Sequence, residues 1–100
     1  MDCAACRAYY AMFYAAAALL SDKDVRFRRH GGVHGAFGEH FIKTGLLDPK
    51  FHCWLLDAFD KRNQGDYGIE ILVTSADVEQ MIEQAREFLH EARRHLGIQP

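Results

Sequence analysis

The stretch "DAFDKRNQGDYG", residues 57–68, gathers the groups best suited to chemistry in an otherwise apolar neighbourhood: Arg62, Asn63, Asp66 and Tyr67. A guanidinium can hold a phosphate through two parallel N–H donors, an amide can orient it, and a carboxyl or hydroxyl beside them can move protons. On a continuous helix a step of four residues turns about 40° past a full circle, which sets Arg62 beside Asp66 and Asn63 beside Tyr67. The same geometry allows a plain Arg62–Asp66 ion pair. Arg before Asp is the weaker order against the helix dipole, worth only a few tenths of a kcal/mol. Stability alone is therefore a thin reason for the cluster, and a site for a phosphate-bearing substrate is the reading taken.

Other candidate groups carry less. Lys23, Arg26, Arg28 and Arg29 in "KDVRFRRH", residues 23–30, form a local basic patch. They are either phosphate or RNA contacts or a solvated loop. Twelve basic against 14 acidic residues leave a net charge of -2, which excludes a general polyanion binder. Cys3 and Cys6 make a CxxC, but only Cys53 remains where a structural zinc needs a second pair, so no metal is expected. His30 with His34 and His90 with His95 lack the acidic helper of a metalloprotease helix and are expected to be solvated or capping. The run Tyr9, Tyr10, Phe13, Tyr14 could stack bases, although at this spacing packing is favoured. Gly31, Gly32, Gly35 and Gly38 match no nucleotide-binding loop, so no cofactor is implied.

The elements that position these groups follow from pattern. At 100 residues the chain is one domain, residues 1–100, with no Pro/Ser linker or repeat and prolines only at 49 and 100. An odd count of three cysteines is no disulfide framework and suits a reducing cytoplasm. The apolar run from Ala8 to Leu20 is too short for a membrane span, for which about 20 apolar residues are needed. "MDCAACRAYYAMFYAAAALLSD" predicts a helix of about five or six turns, apolar nearly all round and so buried on several sides. "GGVHGAFGEHFIKTG" predicts a short helix with Val33, Phe37, Phe41 and Ile42 inward and Gly45 as its stop. Asp48-Pro49 starts a third helix with Phe51, Leu55, Leu56 and Phe59 on one face, and this helix carries Arg62. "GIEILV", residues 68–73, is strand-like without a partner strand and is read as an extended connector. "VTSADV" opens the last helix, with Thr74 as cap, Asp77 reaching back and a Val73–Val78 staple; its stripe runs through Val78, Met81, Ile82, Ala85, Phe88, Leu89, Ala92 and Leu96 to a stop at Gly97. Four helices with short connections predict an all-α, antiparallel, up-and-down four-helix bundle.

The segments "RAYYAMFYAAAALL", "GVHGAFGEHFIKTGLL", "LLDAFDKRNQGDY" and "VTSADVEQMIEQAREFL", in that order, resemble the HEPN domain family across almost the whole chain. The resemblance implies a helical bundle, a homodimer, and a cytoplasmic protein of the toxin side or substrate-binding side of a pair with a nucleotidyltransferase. It also implies metal-independent RNase activity. In the ribonuclease members an Arg, often followed by Asn, precedes a His by four to six residues. Arg62 and Asn63 match that start, but Asp66 and Tyr67 stand where the His is expected, as in relatives that carry Arg and Asp-Tyr. An ordinary Tyr titrates at about 10, far from the neutrality that acid–base cleavage needs. Such relatives usually carry one more helix ahead of "RAYYAMF". A chain beginning here is expected to cover the exposed face by self-association through its first helix, with two Arg62–Tyr67 clusters at the dimer cleft. The alternative is a non-catalytic nucleotide or RNA binder, or a dimerising module.

Overall fold

The computed structural model describes residues 4–24, 30–66 and 74–97. Four α-helices account for most of them: α1 (Ala4–Asp22), α2 (His30–Phe37), α3 (Pro49–Asp66) and α4 (Ser75–Leu96). A π-helical turn, Gly38–Ile42, extends α2. There is no strand among the described residues, and the all-α expectation holds. The connector at 68–73, the basic residues Arg26, Arg28 and Arg29, and Val73 of the staple lie outside the described residues.

The ends of α4 are set by its own sequence. Thr74 Oγ1 accepts from Asp77 N at 3.1 Å while Asp77 Oδ2 accepts from Thr74 N at 3.0 Å, a reciprocal capping box. Gly97 closes the helix at φ 78°, where its N–H reaches the carbonyls of Arg93 and Arg94. Asp48 likewise caps α3, its Oδ1 accepting from Lys50 N at 2.9 Å beside Pro49. Gly45 stops the π-turn region at φ 81°, with its N–H on the Ile42 carbonyl.

Helix α1 is the centre of the assembly and packs against α2, α3 and, most extensively, α4. That placement explains its all-round apolar character: Tyr9, Met12, Phe13, Ala16, Leu19 and Leu20 are buried, and its small alanines let neighbouring helices approach. Phe37, Phe41 and Phe88 join α2, the π-turn and α4 with ring centroids 5.5 and 5.6 Å apart. Burying each such side chain stabilises the fold by about 1.5–3 kcal/mol.

Three packing expectations change, the first being that Ile82, expected in the apolar stripe of α4, is exposed. Leu56 is exposed and Ala58 takes the inward position, because adjacent residues such as Leu55 and Leu56 point about 100° apart on a helix. The second helix turns π at Gly38, where Lys43 N donates to the carbonyl five residues back at 2.9 Å. A side chain at Gly38 would meet the His52 ring at 2.9 Å, so this glycine serves a close approach. The same His52 donates from Nε2 to the His34 carbonyl at 3.1 Å, tying α3 to α2.

Candidate phosphate-binding site

Arg62 sits one turn before the end of α3, following the inward Ala58 and the partly buried Phe59, so it faces α1 rather than open solvent. Its guanidinium carbon lies 5.2 Å from the centroid of the Tyr10 ring and 5.9 Å from that of Tyr9. Both distances fall within cation–π range. The residue is half-buried and its Nε atom is shielded from solvent. Asn63 and Asp66 belong to the last turn of α3, with their side chains outside the described residues, as is Tyr67; the expected Arg62–Asp66 pairing falls there too. The structure therefore places Arg62 and the backbone of Asn63 and Asp66 on one helix end.

Behind Arg62 lies a polar pair in the core. Tyr9, with no exposed surface, shares a 3.0 Å hydrogen bond between its hydroxyl and His34 Nε2. The hydroxyl donates when that nitrogen is unprotonated and accepts when it carries the proton. His34 is 7% exposed and packs edge-on against Phe59 at 4.9 Å, with Phe13 at 6.2 Å. The expectation of a solvated or capping histidine is thus corrected: a neighbouring hydroxyl satisfies the ring nitrogen and lets it enter the core. Burial, reinforced by Tyr10 and opposed by Arg62, pushes the Tyr9 phenol up to about 12. Tyr9 is neutral at physiological pH and is no proton-transfer group there.

The aromatic run also divides. Tyr9 and Phe13 pack as expected, but Tyr14 is 64% exposed and stacks on the half-buried Tyr10 at 5.8 Å with the rings 26° apart. Sequence reasoning singled out Arg62 but missed its shelf of Tyr9 and Tyr10, because a contact between α1 and α3 leaves no local spacing signal. Of the cysteines, Cys6 is buried and disulfide-bonded, which runs against the expectation of reduced thiols, while Cys53 is a free, exposed thiol. No group of three or more His, Cys, Asp or Glu side chains able to hold a metal occurs among the described residues. Two open depressions, of about 490 and 550 Å³, lie elsewhere, one between Trp54 and the α4 residues Glu83, Glu87 and His90, the other around Leu46, Lys50 and Glu91.

The described residues form a small all-helical domain whose third helix carries Arg62 and Asn63 near its end. Residues 1–95 match the HEPN domain, and the chain belongs to that family. It is 33% identical to "Putative toxin MJ0142" of Methanocaldococcus jannaschii over 95% of this chain and 65% of that protein. It is 37% identical to a UPF0332 protein of Thermotoga maritima over 83% of this chain and 63% of the relative. A UPF0332 protein of Gloeobacter violaceus is 34% identical over 96% of this chain and 77% of its own. The chain thus spans just under two thirds of the length of the first two relatives. No solved structure matches it. No helix among the described residues is long and apolar enough to cross a membrane.

Proposed function

We propose that this chain is a cytoplasmic, homodimeric HEPN protein on the toxin side of a pair with a nucleotidyltransferase, gripping the phosphate of an RNA or nucleotide at Arg62. The toxin name of a relative supports the side of the pair. The carrying observation is Arg62 laid over Tyr9 and Tyr10 at the end of α3. A guanidinium oriented in advance loses little side-chain freedom when it takes a phosphate. Asn63 orients that phosphate, and Asp66 or Tyr67 either moves the proton in metal-independent cleavage or is the group the partner modifies.

A second reading, binding without cleavage, is favoured by one feature: of the two phenols under Arg62, that of Tyr9 is buried and raised to about 12, so it gives up no proton at neutral pH. One experiment separates the two. The pure protein and Arg62→Ala are incubated with single-stranded RNA in EDTA, product ends are analysed for cyclic phosphate, and binding is measured in parallel. Cleavage lost in the variant supports the RNase; binding lost in the variant without cleavage by either protein supports the binder. Binding and RNA integrity unchanged by Arg62→Ala refute a phosphate site at Arg62.

A further inference from the structure

Arg62, Tyr10 and Tyr14 form a continuous ladder on the outer side of α1. The guanidinium carbon lies 5.2 Å from the Tyr10 centroid, and Tyr10 lies 5.8 Å from Tyr14, so the cation and the outermost ring are at most about 11 Å apart. Tyr14 is the most exposed large apolar side chain described, yet it is ordered from below: it stacks on Tyr10 and meets Phe13 edge-on at 5.3 Å. Tyr10 is itself braced by Phe13 at 6.2 Å and Tyr9 at 5.0 Å. An aromatic ring placed this way binds a planar partner at low entropic cost.

We propose that Tyr14 is a stacking platform for a nucleobase of the same single-stranded RNA or nucleotide whose phosphate Arg62 holds. This rests on the phosphate grip proposed above. The spacing suits one nucleotide step between a gripped phosphate and a stacked base, and stacking of this kind tolerates any base because each has a π-face. A second copy of the chain is the rival occupant. On the exposed strip of α1, Ala4, Arg7, Tyr14, Ala18 and Ser21, Tyr14 is the one large apolar side chain, which leaves a second copy little apolar surface to bury there. A stable protein contact buries about 800 Å² per partner.

The test uses fluorescence anisotropy with a labelled 2′-O-methyl oligoadenylate, which the 2′-hydroxyl route cannot cleave, and an abasic strand of the same length. Wild type is expected to prefer the base-bearing strand by about tenfold, a figure within the usual contribution of one stacked base. Tyr14→Ala is expected to fall to the abasic level on both strands, and Tyr14→Phe to behave as wild type. Arg62→Ala is expected to weaken both strands alike. Equal wild-type affinity for the two strands, or Tyr14→Ala binding like wild type, overturns the platform while leaving the phosphate grip standing. Unchanged binding by Arg62→Ala overturns the grip and with it the nucleotide step. Tyr14→Ala that halves the mass in sedimentation without changing base preference overturns the platform in favour of a copy contact.

Discussion

Removing one oxygen at Tyr9 isolates the buried polar pair from everything else the ring does. Tyr9→Phe keeps the packing against Phe13 at 5.8 Å and Phe59 at 5.5 Å, and keeps a ring beneath Arg62. It deletes the 3.0 Å bond to His34, whose ring stays in the core. Leaving a buried polar atom unsatisfied costs about 1–3 kcal/mol. For a chain of this size that is a fall in Tm of about 4–8 °C per kcal/mol. Urea unfolding should show a lower midpoint with an unchanged slope. Replacing both partners, with His34→Leu added, should cost less than the two single changes combined, since two apolar groups no longer strand each other. The pH arm is independent. The folded phenol titrates at about 12 against 10 unfolded, so between those values the unfolded chain binds fewer protons and stability falls as pH rises. That loss is present in the wild type, amounts to roughly 2 kcal/mol, and is absent from Tyr9→Phe. A midpoint within about 0.5 kcal/mol of wild type at pH 7, or an identical alkaline loss in the variant, would refute the buried pair as a stabilising element.

Two further changes test the frame that holds the site. Thr74→Ala should remove the side-chain half of the reciprocal cap and cost about 1 kcal/mol by urea unfolding. Because the Thr74 backbone N–H, above all, holds the Asp77 carboxyl below its usual range, the wild-type contribution is present above the ordinary carboxylate pKa and is lost as pH falls through the folded value; Thr74→Ala keeps that donor and should keep most of this acid dependence. Gly38→Ala sets a methyl 2.9 Å from the His52 ring and so displaces the donor to the His34 carbonyl. It should destabilise the protein despite the roughly 1 kcal/mol that alanine gains in a helix, and a variant more stable than wild type would show that His52 moves freely.

The parts of the fold that were legible are those decided within one turn of chain. Thr74, Asp77 and Gly97 name both ends of α4 by hydrogen bonds to residues three or four away, and Asp48-Pro49 names the start of α3 in the same way. The π-turn was not legible, because Gly38 is required by a ring from the next helix rather than by its own neighbours. Leu56 was misassigned for a related reason: composition tells that a helix has an apolar face, but the partner decides which of two adjacent leucines lies at its centre. At the site, Arg62 stood out as a local anomaly in an apolar helix. His34 looked polar and solvated, since the hydroxyl that satisfies it comes from a residue 25 positions earlier in the chain.

Tyr9 shows why site and core cannot be assigned to separate residues here. Its hydroxyl faces α2 through His34, its ring faces Phe59 on α3, and the same ring lies within cation–π distance of Arg62. Arg62 also opposes the burial that raises the phenol's pKa, so the cation favours the very ionisation that burial forbids; burial is the larger effect and the ring stays neutral. A phenolate there would place a negative charge within cation–π distance of the guanidinium and compete with a phosphate for it. The buried position of Tyr9 thus has a chemical consequence beyond packing: the ring beneath Arg62 carries no charge across the physiological pH range.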